Sequence, residues 1–201
     1  MQTLELEKDL VGKTVLIVDD DVEVAETLRE QLETVGFIVA GVAADGQEAV
    51  RLTRELDPAL VIMDIRLPDK DGIDTAREIN ENELRPILLL SAYADSELIK
   101  RAKASGVITY LVKPVTIKEL LPSIVLTMDR FREIVALKAT IDDMKETLAN
   151  RKVIEQAKGL LMEKKSMTER DAFTMLRRKS QEQNKPMAEI ARTLVMMQDL
   201  L

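Results

Sequence analysis

Asp19, Asp20 and Asp21 follow directly on the apolar run Thr14–Val18, and Asp64 follows Leu60–Met63. Ser91 closes Ile87–Leu90, and Lys113 closes Thr109–Val112. Clustered carboxylates repel one another and call for a cation. Hard oxygen donors with a half-open shell suit Mg2+. A carboxylate beside such an ion can attack phosphorus and become an aspartyl phosphate. Phosphoryl transfer asks mainly for charge neutralisation. Mg2+, the Lys113 ammonium and the Ser91 hydroxyl can divide three phosphoryl oxygens between them. Each residue alone has a plainer reading. Asp19–Asp21 can be cap acids or a solvated loop, Asp64 a turn residue, Ser91 a helix cap and Lys113 a surface charge. Their joint position at the ends of four different apolar runs favours chemistry.

The runs themselves read as strands. Thr14–Val18, Phe37–Val42, Leu60–Met63, Ile87–Leu90 and Thr109–Val112 are near-continuously apolar, as buried parallel strands are. Val22–Val35, Gln47–Leu56, Ile73–Ile79 and Ser96–Ala104 lie between them with helical spacing. Asp45-Gly46, Pro68-Asp69, Gly72 and Gly106 supply turns. The alternation predicts an α/β domain with a flavodoxin-like, five-stranded parallel sheet. Such sheets bind ligands outside the carboxyl ends of their strands, where the polar residues fall. Gly12-Lys13-Thr14 resembles the end of a phosphate-binding loop. However, Glu7 occupies the earlier glycine position, and the motif precedes a strand.

The chain of 201 residues contains no cysteine, which excludes disulfides and thiol chemistry, and no histidine. A phosphohistidine donor must therefore belong to another molecule. No apolar run approaches the ~18 residues of a membrane span. The first residues lack a secretory pattern, so a cytoplasmic location is expected. Net charge is −7, unevenly spread: residues 151–201 carry eleven Lys/Arg against seven acids, which leaves −11 on residues 1–150. That asymmetry suggests two parts with different partners.

From Thr116 the chain reads as a long helix, with Pro122 near its start. Ile124, Met128 and Phe131 are expected to pack on the first domain. Ile134, Leu137, Ile141, Met144 and Leu148 then recur at steps of three and four. They form a coiled-coil seam that predicts a homodimer, or one face of a single amphipathic helix. Residues 151–201 read as three short helices forming a small bundle, with Ala172, Phe173 and Leu176 on the apolar face of the second. With Phe173 in the core, no aromatic remains for base stacking. Mid-helix Gly159 reads as a close-approach position, since glycine there costs ~1 kcal/mol. The expected organisation is 1–125, 126–150 as helical linker, and 151–201.

Val15-Leu16-Ile17-Val18-Asp19-Asp20, Leu60 through Pro68, Asp71-Gly72, Leu90-Ser91-Ala92 and Tyr110-Leu111-Val112-Lys113-Pro114 carry a resemblance. They resemble the receiver domain of two-component response regulators. The resemblance implies Asp64 as phosphoacceptor and Asp19, Asp20, Asp64 and the Arg66 backbone carbonyl as Mg2+ ligands. It further implies Ser91, Ala92 and Lys113 at the phosphoryl group, Tyr110 as the switching aromatic, and a cis Lys113–Pro114 bond. The donor would be a sensor histidine kinase. Only self-catalysed gain and loss of phosphate is implied, not an enzyme.

The tail resembles the ANTAR output domain through Arg151-Lys152-Val153-Ile154-Glu155-Gln156-Ala157-Lys158-Gly159-Leu160-Leu161-Met162, Ala172-Phe173, Leu176-Arg177 and Ile190-Ala191. That implies binding of paired RNA stem-loops in transcript leaders and transcription antitermination. Lys158, Arg177, Arg178 and Lys185 are the candidate RNA contacts. Phosphorylation is expected to expose or dimerise the output helices. The residues themselves leave open a DNA-binding helix-turn-helix or a protein-interaction relay.

Overall fold

The computed structural model describes residues 10–92, 101 and 109–198. In chain order these form β1 Thr14–Val18, α1 Val22–Thr34, β2 Ile38–Ala43, α2 Gly46–Leu56, β3 Leu60–Asp64 and α3 Gly72–Asn82. β4 Ile87–Ser91, β5 Thr109–Val112, α4 Ile117–Lys165, α5 Glu169–Gln183 and α6 Met187–Gln198 follow. Apart from Arg101, the helix expected over Ser96–Ala104 lies outside the described residues. The chain divides into two compact units, residues 1–134 and 135–201, with the division inside α4.

The first unit holds a five-stranded sheet of order β2-β1-β3-β4-β5, every pair parallel. This is the flavodoxin-like arrangement expected. The pleat sends alternate residues to opposite faces. Leu16, Val18, Val61, Met63 and Leu89 pack with Ala49, Val50, Ile73, Ala76 and Ile79 of α2 and α3. Val15, Ile17, Ile62, Leu88 and Leu90 pack with α1 residues and with Leu120, Ile124 and Met128 of α4. Each fully buried aliphatic side chain contributes ~1.5–3 kcal/mol. Phe131, expected on this core, is only half-buried and outside the cluster.

Beyond Met128 the character of α4 changes. Ile134, Leu137, Ile141, Met144 and Leu148 are 41–66% exposed. The helix ends where Ser166 takes a positive φ of 50°. Thr168 caps α5, its side chain accepting from the Asp171 N–H. Ala157 and Leu161 of α4, Ala172 and Leu176 of α5, and Ile190 and Ala191 of α6 form the core of the second unit. Two expectations fail here. Phe173 is 43% exposed and outside that core, because adjacent Ala172 occupies the inward position and the next helical residue turns by about 100°. Gly159 makes no close approach among the described residues, since a Cβ there would meet none of them within 4 Å.

Candidate functional site

The carboxyl ends of β1, β3 and β5 bring Asp19, Asp64 and Lys113 together. Lys113 Nζ donates to Asp19 Oδ2 and to Asp64 Oδ2, both at 2.6 Å. Asp19 is 2% exposed and Asp64 9%. Burial pushes the Asp19 carboxyl above its ordinary value, and the Lys113 bond offsets only part of that. Burial works to lower the Lys113 ammonium, but its bonds to Asp19 and Asp64 outweigh it and raise the pKa. Lys113 is therefore cationic at neutral pH. One carboxylate oxygen each from Asp19, Asp20 and Asp64 lies within 4.8 Å of the others. Asp20 is exposed, which leaves the cluster open to solvent. Three hard oxygen donors, two of them bonded to the ammonium, form an electron-rich set that fits a divalent cation such as Mg2+.

The loop after Asp64 is pinned at several points. The Arg66 N–H donates to Asp64 Oδ1 at 3.2 Å. The Gly72 N–H donates to the Ile65 carbonyl at 2.7 Å. A side chain at position 72 would drive a Cβ into the Asp64 carbonyl oxygen, which is why glycine opens α3. Asp69 reaches across to α2 and accepts from the Gly46 and Gln47 N–H groups at 2.8 and 3.0 Å. Burial opposes its ionisation, but the N–H donors of Gly46, Lys70 and Gln47 hold its pKa below the ordinary value. Asp71 caps α3 by accepting from the Ile73 N–H at 2.7 Å, and it pairs with Arg101 at 2.9 Å. Asp69 was not among the sequence candidates. Its partners lie 23 and 22 residues away, and nothing local signals them.

Ser91 is buried at the end of β4, and its carbonyl accepts from the Lys113 N–H at 2.7 Å. Tyr110 is half-buried against the α2–α3 side of the core. Arg66 and Ala92 are exposed. Lys113–Pro114 is cis. A groove of about 460 Å3 opens beside Lys113, lined by Val24, Leu28, Leu90, Ala92 and Pro114 among others.

In the second unit the basic candidates separate by environment. Lys158 is 7% exposed and joins Glu155 at 2.8 Å and Glu169 at 2.6 Å, which ties α4 to α5. Those two acids raise its pKa, Glu155 first. Its ammonium is thus engaged inside the unit. Arg178 pairs with Glu182, and Lys185 with Glu189. Arg177 is exposed, with no ion-pair partner among the described residues.

The sheet order and its edge of carboxylates and ammonium define a receiver-type α/β domain joined to a helical output unit. The chain belongs to the response regulators: the receiver-domain family model matches residues 15–125, and the ANTAR domain model matches residues 142–195. The transcriptional regulatory protein PdtaR of Mycobacterium tuberculosis is 42% identical over 185 residues, 92% of this chain and 90% of that protein. The DNA-binding response regulator MtrA of the same organism is 38% identical over 112 residues, 56% of this chain and 49% of its own length. Among solved structures, the receiver domain of a modulated diguanylate cyclase from Desulfovibrio desulfuricans superposes with TM-score 0.56 at 37% identity, covering 60% of this chain and 97% of that one. CheY in the CheX–CheY–BeF3–Mg complex of Borrelia burgdorferi gives 0.55 at 31% identity, covering 57% and 87%. The matched domains are those of a regulator and not of a catalytic family. Among the described residues no helix is long and apolar enough to cross a membrane.

Proposed function

We propose that this chain is a phosphorylation-controlled antiterminator, which accepts a phosphoryl group on Asp64 and binds paired RNA stem-loops in transcript leaders. The observation that carries the reading is the pair of hydrogen bonds that Lys113 Nζ donates to Asp19 and Asp64 beside a three-carboxylate cluster. It sits in a chain that also carries an ANTAR domain. Asp19, Asp20, Asp64 and the Arg66 carbonyl would hold Mg2+, which supplies charge neutralisation for the phosphoryl oxygens. Asp64 attacks the phosphorus of a kinase phosphohistidine. The P–O bond forms as the P–N bond breaks, and the imidazole leaves with the electron pair. Lys113 shifts its donors from carboxylate to phosphoryl oxygen. Ser91 and Ala92 take a further oxygen, and Tyr110 follows Ser91 inward. The groove beside Lys113 gives a donor access. Residues 1–125 are the receiver, 126–150 the linker and 151–201 the output part. Phosphorylation favours pairing of two chains through Ile134, Leu137, Ile141, Met144 and Leu148. Arg177, Arg178 and Lys185 contribute to the RNA face, while Lys158 holds that face in shape.

Equilibrium binding tests this reading. The purified chain is titrated with a two-hairpin leader RNA and with duplex DNA, each with and without a small-molecule phosphodonor and Mg2+. The expected result is RNA preference that strengthens with phosphodonor and is unresponsive to it in Asp64→Asn. Tighter binding to duplex DNA overturns the RNA assignment. An identical phosphodonor response in Asp64→Asn overturns the switch.

A further inference from the structure

Phe173 is 43% exposed on α5 and takes no part in the core of its unit. Its position relative to charge is not random. Arg170 lies three residues before it and Arg177 four after, which places all three on neighbouring turns of one helix surface. Gln181 continues the stripe four residues further on and is exposed. The inward face of the same helix is Ala172 and Leu176. Both arginines are exposed, and neither has an ion-pair partner among the described residues. Three of the unit's other cations are held by acids: Lys158 by Glu155 and Glu169, Arg178 by Glu182, and Lys185 by Glu189. The exposed ring thus lies between two exposed guanidinium groups that no acid among the described residues engages.

An exposed phenylalanine in a soluble unit costs solvation and has no role in the packing here. A ring flanked by two free guanidinium groups one turn away matches what a single-stranded nucleic acid offers: an aromatic base between two phosphates. We propose that Phe173 is a stacking platform for one unpaired loop base of the RNA, with Arg170 and Arg177 on the flanking phosphates. Gln181 lies along the same stripe, within reach of a base edge. This rests on the RNA-binding reading above and gives it a residue-level site on α5. It also assigns recognition to an unpaired loop base rather than to the stem, since a paired base keeps its faces inside the duplex stack.

The test uses the full chain and a hairpin RNA with an unpaired loop, together with the same stem carrying abasic loop positions. Phe173→Ala is expected to weaken binding of the intact hairpin roughly tenfold to a hundredfold, the range for loss of one stacked base. Its salt dependence should be unchanged, because no phosphate contact is lost. Phe173→Tyr should bind as wild type does, whereas Phe173→Leu, which keeps an apolar side chain, should resemble Phe173→Ala. On abasic loops wild type and Phe173→Ala should bind alike. Arg170→Gln and Arg177→Gln should each reduce the slope of log affinity against log salt by about 0.7, the single-strand value per phosphate. Wild-type affinity in Phe173→Leu would overturn stacking in favour of plain apolar contact. Wild-type affinity in Phe173→Ala, with RNA preference intact, would overturn this site and leave the RNA reading standing. Loss of RNA preference in the wild type itself would overturn both. Unchanged thermal unfolding of Phe173→Leu separates loss of contact from loss of fold.

Discussion

Replacing Lys113 with methionine keeps most of the side-chain volume and removes the ammonium that joins Asp19 to Asp64. Both bonds are 2.6 Å, and the side chains involved are 18%, 1% and 12% exposed for Lys113, Asp19 and Asp64. A charge-assisted hydrogen bond is worth ~1.5–3 kcal/mol, and a fully buried charge stripped of its partner costs ~3–5 kcal/mol. The groove beside Lys113 admits water, so the cost falls at or below the bottom of that range. We expect a loss of about 2–3 kcal/mol in EDTA, or a drop of about 8–15 °C in the receiver transition. The pH dependence follows from the two shifts. Lys113 is raised above its ordinary 10.5, so its contribution is complete below that value and fades only at higher pH. Asp19 is raised above 3.8, so the folded state holds that proton more tightly than the unfolded chain does. Stability declines as pH rises from there through the folded value. Without Lys113 the folded value climbs further, so the deficit of Lys113→Met should grow as pH rises from the acid side. Millimolar Mg2+ should restore more stability to the variant than it adds to wild type, because the competing ammonium is gone. Thermal unfolding by circular dichroism, with EDTA and with Mg2+, measures all of this. A variant as stable as wild type in EDTA, or one that gains less from Mg2+, would refute the argument.

Gly72→Ala places a Cβ against the Asp64 carbonyl oxygen and 3.0 Å from Ile65 Cα. It should cost about 1–3 kcal/mol in urea unfolding, and a cost under about 0.5 kcal/mol would show that the loop yields. Gly159→Ala meets nothing within 4 Å and should stabilise the second unit by about 0.5–1 kcal/mol. A fall in RNA affinity alongside that gain would mark position 159 as a point of approach from outside the chain. Asp69→Ala leaves the Gly46 and Gln47 N–H groups without their acceptor. Those two amides should exchange faster by hydrogen-exchange NMR, and Mg2+-dependent phosphorylation should slow several-fold; unchanged exchange refutes the pinning. Leu137→Glu with Met144→Glu changes side chains already 64% and 60% exposed. The unpaired chain should fold as before, while light scattering with phosphodonor should show no dimer. A dimer that persists would place the seam elsewhere.

Much of the first unit was legible because strand and chemistry coincide. Four of the five apolar runs end at a polar residue, so locating those strands also located Asp19, Asp64, Ser91 and Lys113 on one edge. What pins that edge was not legible. Asp69 works through α2 from more than twenty residues away, and only the folded register brings it there. In the second unit the misplacing of Phe173 has a geometric origin. Helical periodicity names a face to within about 100°, the turn between neighbouring residues. Ala172 and Phe173 cannot both face inward, and the smaller residue holds the crowded position between α4 and α6. Lys158 was nominated for its charge, and its pairing with Glu169 from the next helix was not legible in the sequence.

Charge counting therefore overstates the nucleic-acid face. The tail of residues 151–201 carries eleven basic residues, and Lys158, Arg178 and Lys185 are neutralised locally. An exposed pair of this kind adds little stability, but it does remove a cation from competition for phosphate, since binding must first break it. Cations without such a partner start with that advantage. Arg170 and Arg177 are in this group, and they bracket an exposed aromatic ring. Specificity in this unit thus follows from where acids are absent as much as from where bases are present. On the proposed reading, net charge draws RNA to the unit without ordering it, and the short stripe on α5 is where contact becomes selective.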